Sequence, residues 1–394
     1  MNYRPALLHT MSPIRAALPF LAATIAFGAV VPVAGAATKA TTTKKATKAP
    51  VKPTTRPTTK AAQATPTTKV QAPSSTPTRP TPTPTIRSKK LVVYSGRAER
   101  LVKPLFANFE FETGIELEVR YADSSQLAAT LIEEGTRTRA GVFFSQDAGA
   151  LGALSKRGRL ASLPMSLLDR VAPQFRSPKG EWVGVSGRAR VFVFDPRQVQ
   201  NPPETVDALL DSRWKGKLGY APTNASWHSF VTALRQVKGE AGARTWLAGF
   251  KANSPRSYSG NTQVVQAAER GEIAIGLTNH YYVYELSGGD LRNVNIRNEF
   301  AKPGDAGALV NVAGAAVLKE SANDSAALEL VEYLLSKEAQ QYFATRTYEY
   351  PLISSVQAAS ALPPLNSLGS PVVDLSDLDT IDDSLKLLRE VGLL

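Results

Sequence analysis

Residues 271–289, GEIAIGLTNHYYVYELSGG, predict a strand followed by a helix. Residues 273–277 form a short apolar run, which is typical of a buried parallel strand. Thr278 and Asn279 follow this run, and both are favoured residue types at a helix N-cap. We therefore expect a helix to begin after them and to end at Gly288. Open α/β sheets bind their ligands at the carboxyl ends of such strands.

Two adjacent phenols, Tyr281 and Tyr282, fall in the first turn of this predicted helix. In one interpretation they and Tyr284 are amphipathic aromatic residues, with rings in the core and hydroxyls in water. In the other they are phenolate ligands of a hard trivalent cation, for which Fe(III) is the best match. A helix N-terminus and a bound metal both favour the deprotonated phenol, whose free pKa is about 10. The two residues alone leave both interpretations open.

The net charge of +12 belongs to the N-terminal quarter of the chain. Residues 1–90 hold 14 of the 46 Lys and Arg side chains and no Asp or Glu, so residues 91–394 carry 32 basic against 34 acidic side chains. This remainder has no basic excess with which to form a phosphate-binding face. The composition therefore argues against a nucleic-acid-binding protein.

Residues 1–37 have the pattern of a signal peptide. Arg4 and Arg15 precede an apolar run, and small residues follow at 34–36. The run is close to the length of an uncleaved membrane anchor, so we predict cleavage without excluding an anchor. The chain contains no cysteine, which excludes an acylated lipoprotein, disulfides and thiolate metal sites. We expect an exported protein, periplasmic or otherwise extracytoplasmic.

Residues 38–90 consist largely of Thr, Lys, Pro and Ala and hold almost no large apolar side chain. Such a segment cannot bury a core, so we predict a disordered linker. Its simplest role is a solvated spacer. The alternative is a basic tether that associates peripherally with anionic lipid or cell-wall polymer.

Short apolar strands alternate with amphipathic helices along residues 91–394. This alternation predicts an α/β fold with mostly parallel sheets and helices on both faces. The apolar stretch 307–318 could return the chain from a second region to the first. We therefore predict a two-lobed clamshell with a hinge of crossing segments and a ligand in the cleft. Lobe 1 would comprise about 91–189 plus about 306–394, and lobe 2 about 190–305.

Seven segments of this region together resemble the substrate-binding proteins of bacterial ferric-iron ABC transporters, also called bacterial transferrins. The segments are VVYSGRAERLVKPLFANFEFETGIELEVRY (92–121), VFFSQDAGALGALSKRGRL (142–160), WVGVSGRARVFVFDP (182–196), WKGKLGYAPTN (214–224), NHYYVYEL (279–286), PGDAGALVNVAGAAVL (303–318) and TYEYPL (347–352). The resemblance implies a type II periplasmic-binding fold that closes on Fe(III). It also implies a monomer that delivers the iron to a membrane permease and its ATPase.

The resemblance assigns roles to individual residues. Tyr281 and Tyr282 stand where the family has its adjacent tyrosine ligands. The residues that match its contacts to a synergistic anion, carbonate or phosphate, are Arg97, Thr223, Asn224, Ala225, Ser226, Asn261 and Asn279. Backbone N–H groups at a helix start, together with a guanidinium, are suited to binding an oxyanion.

The chain departs from the family at three ligand positions. Ala98 replaces a histidine ligand of one branch, Gln146 replaces its glutamate ligand, and Phe194 replaces a third tyrosine of another branch. Two protein ligands therefore carry over, and the remaining positions around Fe(III) would be filled by the anion, water or a neighbouring side chain. The candidate neighbours are Gln146, Asp147, His280 and Glu99. For His280 the alternative is a structural residue on the helix surface.

Other functions remain as alternatives to Fe(III) transport. The three departures suggest a binding protein of the same fold for an organic anion, such as a phosphonate or a sugar phosphate. A hydrolytic enzyme is not predicted, because the chain has no cysteine and neither His228 nor His280 has an evident Ser or Asp partner. No catalytic cofactor is implied. A purely structural surface protein is suggested only by the N-terminal linker.

Overall fold

The computed structural model describes residues 87–394, which form ten strands and ten α-helices. The strands are β1 (Lys90–Ser95), β2 (Glu116–Tyr121), β3 (Val142–Ser145), β4 (Val183–Phe194), β5 (Leu218–Tyr220), β6 (Arg256–Ser257), β7 (Ile275–Asn279), β8 (Arg297–Glu299), β9 (Val310–Val317) and β10 (Tyr350–Pro351). The helices are α1 (Glu99–Thr113), α2 (Ser124–Glu134), α3 (Ala148–Lys156), α4 (Met165–Leu168), α5 (Ala225–Ala252), α6 (Asn261–Glu269), α7 (Tyr281–Ser287), α8 (Ser325–Leu334), α9 (Lys337–Arg346) and α10 (Ile381–Val391).

The strands follow one hydrogen-bonded path in the order β2-β1-β3-β9-β4-β7-β5-β6, and β8 and β10 also pair with β4. Pairing is parallel at both ends of the path, where β1 joins β2 and β3, and β5 joins β6 and β7. The pairings made by β4 and β9 are antiparallel. The predicted α/β fold is therefore present, with antiparallel strands at its centre.

Strand β4 is the central connection of the fold. All twelve of its residues are buried. From Val183 to Ala189 it pairs with β9, and from Arg190 to Phe194 it pairs with β7. The change of partner falls between two consecutive residues, so one continuous strand joins the two halves of the path.

Three hydrophobic cores lie against this path. The first core includes Val93, Phe144 and Val312 and packs against the β2-β1-β3-β9 half of the path. In the β7-β5-β6 half, the second core contains residues of α5 and α10, and the third core contains residues of α6 and α7. The second half thus has helices on both faces of its strands, as predicted.

The C-terminal segment forms another connection between the two halves. Leu375 and Leu378 belong to the first core, where their segment crosses α3 so closely that a Cβ on Gly152 would lie 2.0 Å from the carbonyl oxygen of Ser376. Leu387 and Leu388 of α10 belong to the second core. We expected 306–394 to lie with the first lobe, but α10 packs against α5 in the other half.

The folded region begins before residue 91. Arg87 pairs with Glu329 at 3.1 Å, and Ser88 hydrogen-bonds the carboxylate of Asp324. The last residues of the predicted linker are therefore part of the fold, whereas the signal peptide and linker residues 38–86 lie outside the described region. Within residues 87–394, none of the helices has the length and apolarity needed to span a membrane.

Candidate functional site

The tyrosine pair lies where a strand turns into a helix, as predicted. Strand β7 ends at Asn279 and α7 begins at Tyr281. The predicted N-caps are wrong, because Thr278 and Asn279 are both strand residues and the cap position is His280, whose side chain caps nothing. The strand extends two residues further than its apolar run because its pairing with β4 continues to Asn279.

The two tyrosine rings stack, with centroids 4.4 Å apart and planes at 28°. Tyr281 is buried and Tyr282 is half-buried. Burial raises the pKa of the Tyr281 phenol well above its ordinary value, the neighbouring Tyr282 raises it further, and Arg188 acts in the opposite direction. In the absence of a bound metal ion, Tyr281 is therefore a neutral phenol at physiological pH.

Polar residues from four segments meet on one side of the tyrosine pair. Asn224 caps α5, and its Oδ1 accepts hydrogen bonds from Ser226 and from Asn261 Nδ2. Arg190 Nη1 lies 3.2 Å from Ser226 Oγ and 3.3 Å from Asn279 Oδ1. Four residues that were predicted as anion contacts thus share one hydrogen-bond network. We call Asn224, Ser226, Asn261, Asn279 and Arg190 the asparagine network.

The other two predicted contacts at this helix start are more exposed. Thr223 precedes the cap and Ala225 is the first residue of α5. A helix start carries backbone N–H groups without intrahelical partners. These groups and the asparagine network together offer hydrogen-bond donors to an anion.

Arg190 is a member of this network that sequence reasoning missed. Burial lowers the pKa of its guanidinium to about 10, while the phenols of Tyr282 and Tyr281 raise it. The available signal was the alternation of Arg188 and Arg190 in a segment otherwise typical of a buried strand. Side chains two residues apart face the same side of a strand, so the two arginines point the same way.

Arg97 lies in a second set of polar residues, which come from the turns after β1 and β3 and from the segment after α9. Its Nη1 donates to Gln146 Oε1 and its Nη2 donates to Glu349 Oε2, both at 2.7 Å. The side chains of Arg97 and Glu349 are each 1% exposed. Arg188 donates to the backbone oxygen of Gln146. Arg97 is therefore a fully buried arginine paired with a buried carboxylate.

The candidates for additional ligands have other partners in this structure. Gln146 Oε1 accepts from Arg97, and Asp147 Oδ1 caps α3 by accepting from Ala150 N. Burial raises the pKa of Asp147, which Arg188 counteracts. Glu99 is exposed and pairs with Lys103 at 2.9 Å.

His280 is fully buried, in contrast to the helix-surface position that we considered. Its Nδ1 accepts from the amide of Ala189, and its Nε2 lies 2.7 Å from the carbonyl oxygen of Tyr348. Both ring nitrogens are thus engaged, and neither is free for a metal. Burial lowers the pKa of His280 to about 4, so the ring is neutral at physiological pH.

Two of the three residues that depart from the family pattern lie at an exposed helix start and in a hydrophobic core. Ala98 is exposed at the N-cap of α1, and Phe194 is buried in the second core. Within residues 87–394, no three His, Cys, Asp or Glu side chains are grouped to hold a metal. A metal site there would therefore depend on other donors, such as the two phenols.

A cavity of about 330 Å³ adjoins Tyr281. Its walls include Tyr281 and Glu285 from α7, Arg100 from α1, and Thr347 and Glu349 from the segment after α9. Arg100 and Glu285 form an ion pair at 2.7 Å that links α1 to α7. Elements of both halves thus surround the space beside Tyr281.

Comparison with known proteins gives consistent results. Residues 139–370 match the family described as bacterial extracellular solute-binding protein. The chain is 34% identical over 308 residues to the major ferric iron-binding protein of Neisseria meningitidis, covering 77% of this chain and 93% of that protein. It is 30% identical over 309 residues to the Fe(3+)-binding periplasmic protein of Serratia marcescens, covering 77% and 90% of the two chains.

Solved structures show the same similarity. The crystal structure of iron-bound HitA from Pseudomonas aeruginosa matches with a TM-score of 0.72 and 33% identity, covering 77% of this chain and 99% of that one. A Trichodesmium protein (IdiA, FutA) in complex with iron and citrate matches with a TM-score of 0.68 and 29% identity, covering 77% and 100%. These relatives are solute-binding proteins and not enzymes. The chain therefore belongs to the bacterial extracellular solute-binding protein family.

Proposed function

We propose that this protein captures Fe(III) outside the cytoplasm and delivers it to an ABC permease and its ATPase. Tyr281 and Tyr282 would bind the metal as phenolates. The observation that carries the proposal is the stacked tyrosine pair, which lies close both to the asparagine network and to the buried pair of Arg97 and Glu349. The relatives named for ferric iron and for the periplasm support the cargo and the location.

The charges around the tyrosine pair favour an anion that binds together with the metal. Three buried guanidiniums, those of Arg97, Arg188 and Arg190, lie near the pair, and the carboxylate of Glu349 pairs with Arg97 alone. Fe(III) with two phenolates adds a further positive charge. Buried charges need compensation, so carbonate or phosphate bound between the asparagine network and Arg97 would complete the site.

In this proposal the two halves of the strand path move as two lobes. Strands β4 and β9 would be the hinge, and the ligand would be enclosed between the tyrosines and the Arg97 side. Closure would bring the Arg97 set and the asparagine network to the same anion beside the metal. A monomer suffices for this arrangement, because both sets belong to one chain.

The N-terminal residues extend the proposal beyond the described region. Residues 1–37 would direct export, and residues 38–86 would act as a spacer or as a basic tether at a membrane or cell wall. Retention at the cell surface that is unchanged after replacement of the tail lysines by Gln would argue for the spacer.

The test is a ferric titration of the full chain, followed by visible absorbance, with carbonate or phosphate present or absent. We expect a phenolate-to-iron charge-transfer band that saturates near one iron per chain and depends on the anion. Tyr281→Phe and Tyr282→Phe should each abolish or strongly weaken it. Tyr284→Phe is the matched control, because Tyr284 lies on the same helix and its hydroxyl donates to the carbonyl oxygen of Ala361. A band unchanged in both variants, or no saturable iron binding, would contradict the proposal.

The second candidate function is binding of an organic anion without metal. The three buried arginines favour it, since they offer guanidinium donors whether or not iron is present. Calorimetry of the metal-free chain with a phosphonate and a sugar phosphate tests it. Tight binding of either compound, with no charge-transfer band under any condition, would replace the iron proposal.

A further inference from the structure

The buried ion pair of Arg97 and Glu349 has an uneven hydrogen-bond arrangement. Glu349 Oε2 accepts from Arg97 Nη2 at 2.7 Å, from Thr347 Oγ1 at 3.0 Å and from Ser186 Oγ at 3.3 Å. Within the described residues, Glu349 Oε1 has no partner at all, and neither has Arg97 Nε. One oxygen of the carboxylate is thus saturated while the other is free.

It is unusual for one ion pair to contain two buried polar atoms that lack hydrogen-bond partners. A buried donor or acceptor without a partner loses its hydration without compensation, and an arginine and a carboxylate usually avoid this by pairing through two parallel hydrogen bonds. Here the carboxylate uses one oxygen only. The free acceptor and the free donor are therefore available to a third group.

The pair also lies beside the proposed metal ligand. The charges of Glu349 and Arg97 act on the Tyr281 phenol with opposite signs. Glu349 and Tyr281 line the same cavity of about 330 Å³. The cavity therefore extends from Tyr281 to Glu349, one member of this pair.

The two free atoms define what that third group must offer. Arg97 Nε–H needs an acceptor, and the carboxylate Oε1 needs a donor. An oxyanion without a proton supplies acceptors only, and its oxygens would repel Oε1. Hydrogenphosphate and hydrogencarbonate supply both an acceptor oxygen and an O–H donor.

We infer that Arg97 and Glu349 together select a synergistic oxyanion that retains a proton, and discriminate against one that has none, such as sulfate. This inference deepens the proposed function, since it concerns the anion of the same site. Glu349 is then a specificity-determining residue, and Arg97 is the cation that holds the anion and orients the carboxylate.

The test compares anions that differ mainly in their proton. In mildly alkaline buffer, hydrogenphosphate and sulfate are tetrahedral dianions of similar size, and arsenate and selenate form a second such pair. Calorimetry of each with the metal-free full chain gives the ratio of dissociation constants. We expect phosphate and arsenate to bind at least about tenfold more tightly than sulfate and selenate, the factor of one hydrogen bond to a charged group. Equal affinities would overturn the inference.

The variant Glu349→Gln tests the assigned residue. Its amide can donate to an oxygen that carries no proton, so the preference for phosphate over sulfate should fall by about ten- to hundredfold. Glu285→Gln is the matched control, since this carboxylate lines the same cavity but pairs with Arg100. An unchanged ratio in Glu349→Gln, or the same change in Glu285→Gln, would overturn the assignment.

Folding and iron binding are measured separately. Because Glu349→Gln leaves Arg97 without its carboxylate, the double variant Arg97→Gln with Glu349→Gln removes both charges, and circular dichroism checks that it is folded. We expect it to bind both anion classes weakly and equally.

If anions bind only to the iron-loaded chain, the same ratios are taken from the anion dependence of the charge-transfer band. Anion selectivity without a band would reject the iron proposal alone, and a band with no selectivity would reject this inference alone.

Discussion

Arg190 donates a hydrogen bond to Asn279 Oδ1 across 3.3 Å, at the residue where β4 exchanges β9 for β7 as its neighbour. The same guanidinium reaches Ser226 at 3.2 Å. One buried cation therefore ties β4 to the last residue of β7 and to the start of α5. The helix start, the strand end and the crossing strand are held in one arrangement before any anion arrives.

We predict that Arg190→Gln lowers the free energy of anion binding by more than it lowers the free energy of unfolding. Loss of one charged hydrogen-bond donor should raise the half-saturating anion concentration by about ten- to hundredfold. Arg197→Gln is the control, because Arg197 is 63% exposed and pairs with Asp195 just beyond the end of the same strand. Calorimetry with phosphate checks both variants, and an equal effect in the two would count against the network.

We predict that His280 makes the protein less stable in mild acid. Its folded-state pKa is about 4, whereas a free histidine has a pKa of about 6.5. Between these values the unfolded chain binds a proton that the folded chain does not, so the free energy of unfolding falls as pH falls, by up to about 1.4 kcal/mol per pH unit. Below pH 4 this residue adds no further loss.

The measurement is urea unfolding at several pH values, in the native chain and in His280→Gln. Subtraction of the two curves removes the contribution of the carboxylates. The difference should slope through this window and flatten above it, where His280 is neutral in both states. A native chain whose slope equals that of the variant would show that His280 does not cause the loss.

We predict that the C-terminal crossing depends on the absence of a side chain at Gly152. A Cβ there would lie 2.0 Å from the carbonyl oxygen of Ser376, which is backbone and cannot turn away. Gly152→Ala should lower the free energy of unfolding by about 2 kcal/mol or more, as overpacking does. Gly242→Ala, also within a helix, meets only Lys238 Cβ at 3.0 Å and should be neutral or stabilising, because Ala is the better helix former. Urea unfolding distinguishes them.

We predict that the ion pair between Arg100 and Glu285 contributes little to stability. The two side chains are 61% and 35% exposed, and exposed pairs are worth about 0–1 kcal/mol. Arg100→Gln should therefore shift the free energy of unfolding by less than about 1 kcal/mol, and added salt should reduce the shift. A larger, salt-insensitive loss would mean that the pair fixes α1 to α7.

Local pattern was sufficient to predict the elements around the tyrosines. Glycines and an apolar run mark β7 and α7, and the polar cap at Asn224 marks the start of α5. These signals lie within a few residues of what they specify. The predicted caps at Thr278 and Asn279 failed because the end of β7 depends on its distant partner β4.

Long-range features could not be predicted in this way. The sequence contains Arg190 and Glu349, but nothing local indicates that both are buried beside residues more than 30 positions away. Burial of a charge is decided by the partners that the fold supplies. Those of Arg190 are on α5 and β7, and those of Glu349 include Arg97 and Ser186 of β4. The packing of α10 against α5 in the second core is likewise a contact between distant segments of the chain that share no pattern.

The crossing of the C-terminal segment gives the proposed clamshell three covalent ties instead of two. Two neighbouring antiparallel strands, β4 and β9, allow torsion as well as bending between the bodies that they join. The third connection is the C-terminal segment, which packs first against α3 and then against α5. In the proposed clamshell it opposes the torsion and leaves rotation about a single axis. Fewer relative orientations are then lost on capture, so a larger share of the binding energy remains as affinity.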